Sequence, residues 1–481
     1  MASYKAPGVY VQDITSGSQN IEQASSSVGI LIGFTRSGLI NVAQKITSWT
    51  EYVSKYANGL DTPFIEDDYL SYAVYGFFNN GGTELYIGSV KTSTAKKATK
   101  TSTTNKLTVT ALYEGAWGNS IKVSIKKSSD WDADTNPEFD VTVSVGTSDN
   151  VVITGVTLST IASELVNNIK TKNWIGSASI DSTVTSLSEE DITLEGGANG
   201  ATLADADYIN ALNMIDVLHD VTMVAIPGQT SSAVNSALIT YCTDNGLFPI
   251  IDAPLAYSVE DIKQYRKSID TWTGALAFPW GKITDPITGN LKSVPTAGHL
   301  MGVYARTFET YGIHKAPAGV DATVNGFVEL EYSITASDLA TLNQIGVICI
   351  CARPNAGIVI WGARSLNSSD TTMRYVTDGI MNLVIKKSLY DGTQFAVFES
   401  NDETLWKKLE SSCKAFLEEL RLNGSLKGNA EDAYYVTVDS TNNTDEAIAN
   451  GQLNIEIGYA PVKPAEFIII KLAHSISGTS I

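Results

Sequence analysis

Four histidines, His219, His299, His314 and His474, are the side chains best suited to proton transfer or metal ligation, and their spacing supports neither. Zincins place two histidines on one helical face as HExxH, with the glutamate as base; the chain has no such motif. The hydrolase nucleophile elbow, GxSxG, is also missing. His299, in TAGHLMG, could meet a serine and an aspartate in space to form a triad, but no local feature activates it. GALAFPWGKIT approaches a phosphate-binding loop. Its glycine spacing before Gly281-Lys282 is too long and the segment is apolar, so a turn after a strand is expected. GGANG (196–200) lacks the strict GxGxxG pattern and predicts a tight turn or hinge. DWDADTNPEFDV puts Asp130, Asp132 and Asp134 at the first three positions of a calcium loop. Thr135 stands where the sharp-turn glycine belongs and Val141 where the bidentate glutamate belongs, so an acidic surface turn is expected. Cys242, Cys349, Cys351 and Cys413 form no CxxC. Cys349 and Cys351 lie two apart in the strand-like VICICA, face the same way and predict buried packing. No catalytic residue, metal or cofactor is expected.

The elements that would position any site belong to a chain of 481 residues, long enough for about three domains. Hydrophobic residues make up 43% and charged residues 18%, which predicts a large core rather than disorder. The net charge of −19 argues against nucleic acid, whose phosphates need a basic surface, and against anionic lipid. Its simplest consequence is solubility at high concentration. No apolar run reaches the roughly 18 residues of a membrane span. MASYKAPGVYVQDI has no h-region, so folding in a cytosol is expected.

Short β-like segments open the chain: PGVYVQDI, SVGILIGFTR and ELYIGSV, with a helix predicted over Asp67–Phe78 before the NNGG turn. KTSTAKKATKTSTTNK is read as a Ser/Thr/Lys linker into a β-rich block (KLTVTALY, NSIKVSIKK, FDVTVSVG) with one helix near Leu158–Lys170, ending at LEGGANG. Helices and non-alternating apolar runs then alternate: DADYINALNMIDVL, VTMVAIP, SAVNSALITYCTDNG, LFPIIDAP, a helix over Ser258–Asp270, and GALAFPW. That succession predicts a parallel sheet covered on both faces. DETLWKKLESSCKAFLEELRLNG is the strongest helix. Leu405, Leu409, Cys413, Phe416 and Leu420 recur at helical spacing, Asn401 or Asp402 caps the start and Gly424 ends it. AYYVTVD and QLNIEIGYA come next as strands.

Several segments in this order resemble the contractile tail sheath family of phages, R-type bacteriocins and related injection systems. RPNAGIVIWGARSL resembles the family's arginine-then-glycine strand and W-G-x-R motif, and VFESNDETLWKKL its F-x-x-N-D-x-x-L-W helix start. LNGSLKG, AYYVTVD and GQLNIEIGYAPVKPAEFIII are similar to the closing succession, GIHKAPAGVDATVNG to the K-A-P-A-G segment, and YKAPGVYVQDI to the P-G-V-Y-V start. Together they cover about half of the chain. One departure stands out: Met373-Arg374-Tyr375 and Lys386-Lys387 lie where many members carry a tryptophan and a double arginine.

The resemblance implies a multi-domain α/β and α+β fold. Residues 1–25 are an N-terminal arm strand and tether, 26–94 and 198–350 a subtilisin-like α/β core without the protease's function, and 95–197 a β-rich inserted outer domain. Residues 351–462 are an α+β domain facing a tail tube, and 463–481 a C-terminal arm strand. It also implies homo-oligomers in hexameric rings stacked helically, with tube, baseplate and tail terminator proteins as partners and neither nucleic acid nor membrane insertion. Assembly in a host bacterial cytoplasm, then residence in a contractile tail, is implied as well. So are contraction without nucleotide and exchange of arm strands between subunits. The donor residues are Gly8, Val9, Tyr10, Val11 and Asp13 at one end and Glu466, Phe467, Ile468, Ile469, Ile470 and Leu472 at the other. Pro461 and Pro464 in APVKPA stiffen the second arm into an extended spacer. Lys407, Lys408 and Lys414, on the strong helix, are candidate tube contacts. The alternative is a subtilisin-like serine hydrolase.

Overall fold

The apolar runs that do not alternate become the centre of an eight-stranded sheet. The computed structural model describes residues 20–470, apart from 58, 59, 61, 136, 149, 169, 170, 172 and 270–273. Two compact units divide the chain, one of residues 25–383 and one in which residues 20–24 join the stretch from Val384 onward.

The larger unit begins with β1 (Gly29–Gly33), β2 (Ala43–Ile46), α1 (Trp49–Tyr56), α2 (Leu70–Asn79) and β3 (Leu85–Ser89). Helix α2 starts at Leu70 rather than Asp67; before it, the Asp68 carboxylate accepts the Leu70 N–H at 2.9 Å and closes an Asx turn. The insert contributes β4 (Thr99–Thr101), β5 (Leu107–Ala111), β6 (Ile121–Lys127), β7 (Phe139–Val145), β8 (Val151–Val156), α3 (Ile161–Asn167), β9 (Ile175–Ile180) and β10 (Glu190–Thr193). Its antiparallel sheets, β10-β6-β7-β8 and β4-β5-β9, alternate buried and exposed residues around a core that includes Leu107, Val123, Val141 and Trp117.

The segment read from sequence as a linker is structured. Strand β4 lies within it and pairs with β5, and Thr99–Thr110 and Thr101–Thr108 hydroxyls meet across the ladder at 2.9 and 2.8 Å. The composition is that of a solvent-facing β surface, which Ser, Thr and Lys suit as well as they suit a tether.

The chain returns with α4 (Asp205–Ala211), β11 (Met223–Ala225), α5 (Ser232–Asn245), β12 (Phe248–Asp252), α6 (Val259–Lys267), β13 (Ala275–Phe278), β14 (Gly281–Thr284) and β15 (Leu291–Val294). It continues through α7 (Ala297–Tyr311), β16 (Glu329–Leu330), α8 (Ala336–Gln344), β17 (Val347–Arg353) and β18 (Gly357–Ile360). The sheet order is β18-β17-β13-β12-β11-β1-β3-β2, parallel through its six central strands and antiparallel at both edges. Residues 351–383, grouped by sequence with the C-terminal domain, fold with this unit: VICICA turns through RPNAG into β18, the last strand of the core sheet. Residues 319–324 of the K-A-P-A-G region bond along β18, with Val324 N–H donating to Ile358 O and Ile360 N–H to Ala322 O, so that edge is covered.

Helices α2 and α7 approach closely because α7 presents glycine at the crossing. A Cβ on Gly298 would lie 2.3 Å from Ala73 O and one on Gly302 2.4 Å from Phe77 O. Buried Asp252 accepts the Gly228, Thr296 and Ala297 N–H groups at 3.1, 2.9 and 2.8 Å, fixing the start of α7 to the end of β12. At the carboxyl ends of β11 and β13, Tyr69 packs on Gly228 and edge-on to Trp280 at 5.0 Å. Side chains of the chain itself thus occupy the rim where open α/β sheets bind ligands.

The smaller unit holds the end of α9 (Val376–Gly392), α10 (Glu403–Leu422), α11 (Ala430–Ala433), β19 (Tyr434–Thr437), α12 (Asp445–Ala449) and β20 (Glu456–Tyr459).

Candidate assembly surfaces

Helix α10 buries the predicted stripe of Leu405, Leu409, Cys413, Phe416 and Leu420, together with Trp406 and Leu417. Asp402 caps it by accepting the Thr404 and Leu405 N–H groups at 2.9 and 3.0 Å. Asn401 accepts the Trp406 indole N–H at 2.7 Å and donates to Gln452 O at 2.9 Å, tying the helix start to the segment before β20. The N-D-x-x-L-W spacing thus encodes a cap, a core pair and one side-chain bridge. The solvent face carries the three candidate lysines. Lys407 stands 4.0 Å from Glu403, Lys414 2.5 Å from Glu410, and the Lys408 ammonium 4.5 Å from the centre of the Phe395 ring. Exposed helical pairs contribute only a few tenths of a kcal/mol, about 0.3–0.5, so a partner surface can displace them at little cost.

Strands β19 and β20 pair antiparallel, Tyr434 opposite Tyr459 and Thr437 opposite Glu456, and no third strand joins them among the described residues. A two-stranded sheet alone is marginal in water, and asparagines brace this one. Asn442 Nδ2 donates to Thr437 O at 2.7 Å, Asn443 Nδ2 to Asn454 O at 3.0 Å, and Asn454 N–H to Asn443 Oδ1 at 2.6 Å. Against α10, Glu418 binds Arg421 and accepts the Tyr434 hydroxyl at 3.0 Å.

After β20 the chain stays paired for three residues. Lys427 N–H donates to Ala460 O, Pro461 stands opposite Leu426, and Val462 N–H donates to Ser425 O. Phe467, Ile468, Ile469 and Ile470 are 72, 83, 80 and 76% exposed and join no strand among the described residues. Leu472 and the N-terminal arm residues Gly8, Val9, Tyr10, Val11 and Asp13 lie outside the described residues. Just after that arm, Ile21 is buried against Gly392, and Ala24 N–H donates to Ser388 Oγ at 2.8 Å. Residues 21–24 and 460–462 are thus held within the same unit. Sequence reasoning missed one feature: Phe398, grouped with the helix-start motif, is wholly exposed on a left-handed backbone with φ +67°.

The histidine that could have served a hydrolase is a core residue. His299 is buried beside the Phe327 ring, 4.2 Å between centroids, and packs against Gly76; among the described residues neither ring nitrogen has a hydrogen-bond partner. Burial pulls its pKa down to about 3. Lys282, in the segment that approaches a phosphate-binding pattern, lies in β14, 3.4 Å from Glu331. Asp132 accepts the Asp134 and Thr135 N–H groups in a local turn, and no cluster able to hold a metal occurs among the described residues.

His299 makes stability depend on pH. Between pH 6.5 and 3 the unfolded state binds a proton that the native imidazole refuses, so stability falls as the pH drops. Asp252 opposes this, since burial raises its carboxyl to about 6 and the native state takes up a proton before the unfolded chain does. Replacing His299 by Leu leaves the Asp252 contribution in place. The variant should therefore gain about 2 kcal/mol on the natural chain between pH 7 and pH 5, read from urea unfolding at each pH. Parallel profiles for the two chains would exclude the assignment.

Residues 201–366 match the phage tail sheath protein central domain, and residues 368–473 match the phage tail sheath C-terminal domain. Together the two span more than half of the chain. The tail sheath protein of Escherichia phage P2 is 24% identical over 257 residues, 52% of this chain and 62% of that protein. The tail sheath protein of Salmonella phage ViI is 20% identical over 314 residues, 63% of this chain and 48% of that protein. The chain thus spans roughly half to three-fifths of the length of these two relatives. The sheath complex of the extracellular contractile injection system PVC, determined in its contracted state, superposes with a TM-score of 0.64 at 19% identity, over 99% of both chains; that likeness is one of fold.

Proposed function

The chain is a member of the phage tail sheath family, and from that premise we propose that it is the structural subunit of a contractile sheath around an inner tail tube. It polymerises as hexameric rings stacked helically, joined to a baseplate and closed by a terminator protein, after assembly in a bacterial cytoplasm. Each subunit gives its terminal arms to neighbours. The segment Phe467–Ile470 of one copy extends the β19–β20 sheet of another, and residues 8–13 supply a second added strand. The observation that carries this reading is the pairing, in one unit, of a braced two-stranded sheet with an exposed apolar segment beyond a proline spacer. Main-chain ladders fix register between subunits, while the tethers absorb ring rotation.

Contraction then draws on the free-energy difference between an extended metastable lattice and a more buried one, released at the baseplate, and needs no bound nucleotide. The six-stranded parallel centre of the sheet supports a subtilisin-like core, and the burial of His299, with no partner for either ring nitrogen among the described residues, supports a role other than hydrolysis. Lys407, Lys408 and Lys414 are proposed to face the tube, exchanging weak local contacts for it.

Negative-stain electron microscopy of the concentrated full chain is the test, with striated tubes or stacked rings as the expected outcome. Compact monomers at every concentration, with or without tube protein, would sink the proposal. A covalent serine-hydrolase probe should leave the native chain unlabelled.

A further inference from the structure

Two chain segments running side by side join the insert to the core. Lys96 and Ala198 exchange backbone hydrogen bonds of 2.9 and 3.0 Å, and Thr99 and Glu195 exchange bonds of 2.9 and 3.4 Å. The GGANG cluster closes this neck. Asn119 and Gly197 bond reciprocally, and Asn199 Oδ1 accepts the Ala116 N–H at 2.9 Å. Glycine is required there: a Cβ on Gly197 would lie 2.6 Å from Gly115 O.

Immediately before the neck, the side chain of Lys91 turns inward and is 4% exposed. Its ammonium donates to Arg36 O, in the loop after β1, at 3.1 Å and to Glu114 O, in the insert, at 2.7 Å. The Phe34 ring centre stands 5.5 Å away. Among the described residues no carboxylate forms an ion pair with it. Burial pulls its pKa down to about 8, against the opposing pull of the Glu114 charge. An ammonium held on carbonyls without a counter-ion is costly, and a methionine of similar length would pack as well. The charge must therefore serve the two carbonyls it bridges, one on each side of the neck.

Two clefts lie beside the junction. A cleft of about 480 Å³ lies along Asn41, Lys91, Asp207 and Asn210, and another of about 280 Å³ along Phe34, Leu60, Ala116 and Asn199.

We propose that Lys91 is a rivet fixing the angle of the insert on the core, and that without its ammonium the neck becomes a hinge between two folded bodies. Hydrogen exchange of the full-length Lys91→Met chain tests this. Amides of residues 92–98, 113–116 and 195–201 should exchange roughly tenfold faster or more, the loss expected of a charge-assisted hydrogen bond. Those of β6 and β7 in the insert, and of β1 and β11 in the core, should keep their protection. Lys91→Gln, which retains one donor group but no charge, should show the same pattern with a smaller rise and decides the matter if the methionine variant is insoluble. Unchanged exchange at the neck would overturn the proposal. So would protection lost throughout β6 and β7, which would make Lys91 part of the insert's fold.

Discussion

A chain ending at Lys463 should remain folded and soluble and form no tubes at any attainable concentration. The reason is where the removed surface lies. Phe467 to Ile470 are 72–83% exposed in the isolated chain, so the units bury little on them and thermal stability should change by no more than about a degree or two. If the arm is exchanged as proposed, the same side chains become buried on a neighbour, each contributing roughly 1.5–3 kcal/mol of transfer free energy before ordering costs. Losing even about 4 kcal/mol of that per contact raises the concentration needed for growth about a thousandfold. Replacing Ile468 and Ile470 with aspartate in the full-length chain separates burial from length, because the strand survives while one of its faces becomes charged. Sedimentation velocity and negative-stain imaging read both variants. Ordered tubes from either would show that the arm is dispensable and that the lattice is held elsewhere.

The second large effect acts on folding itself. Gly298→Val and Gly302→Val should each cost about 3 kcal/mol or more and leave the protein mostly insoluble. The α2–α7 crossing is set by backbone: the missing Cβ atoms would sit 2.3 and 2.4 Å from the carbonyl oxygens of Ala73 and Phe77, which cannot rotate away as a side chain can. Gly289 is the control. Its φ of +73° needs glycine, but nothing lies within 4 Å of a Cβ there. Gly289→Ala should therefore cost only about 1 kcal/mol of backbone strain. Soluble yield, and chemical denaturation of the soluble fraction of each variant, rank them. Equal losses at all three would mean that the close approach at the crossing does not set the cost.

Periodicity made much of the architecture legible. The α10 stripe, its Asp402 cap and its burial come from spacing that one helix face requires. The apolar runs of β1, β12 and β13 signal a sheet covered on both sides because a strand so placed has no polar face. Composition was less informative where two environments want the same residues. Ser, Thr and Lys between residues 91 and 106 suit a tether and the outer face of β4 and β5 alike, and only pairing separates them. The extent of the core was hidden for a related reason. Strands β17 and β18 run on in sequence toward the C-terminal unit, and only the parallel partner β13, about seventy residues before β17, assigns them to the core sheet. Lys91 left no signal, since a buried ammonium bridging two carbonyls depends on backbone atoms that any residue supplies. The exposed Phe467–Ile470 was visible because an apolar run after two prolines conflicts with its surroundings at every level.

The neck also bears on how such a chain can diversify. Its two segments are hydrogen-bonded neighbours at Lys96 and Ala198, so the core meets the insert as a doorway one strand-pair wide. Closing that doorway costs only about 3 kcal/mol more chain entropy for a whole module than for a short turn, because closure grows only with the logarithm of length. Evolution can therefore exchange, shrink or enlarge the module without renegotiating the sheet from which it springs. Size and chemistry of the insert are free to change, while the eight-stranded sheet stays as it is behind the doorway.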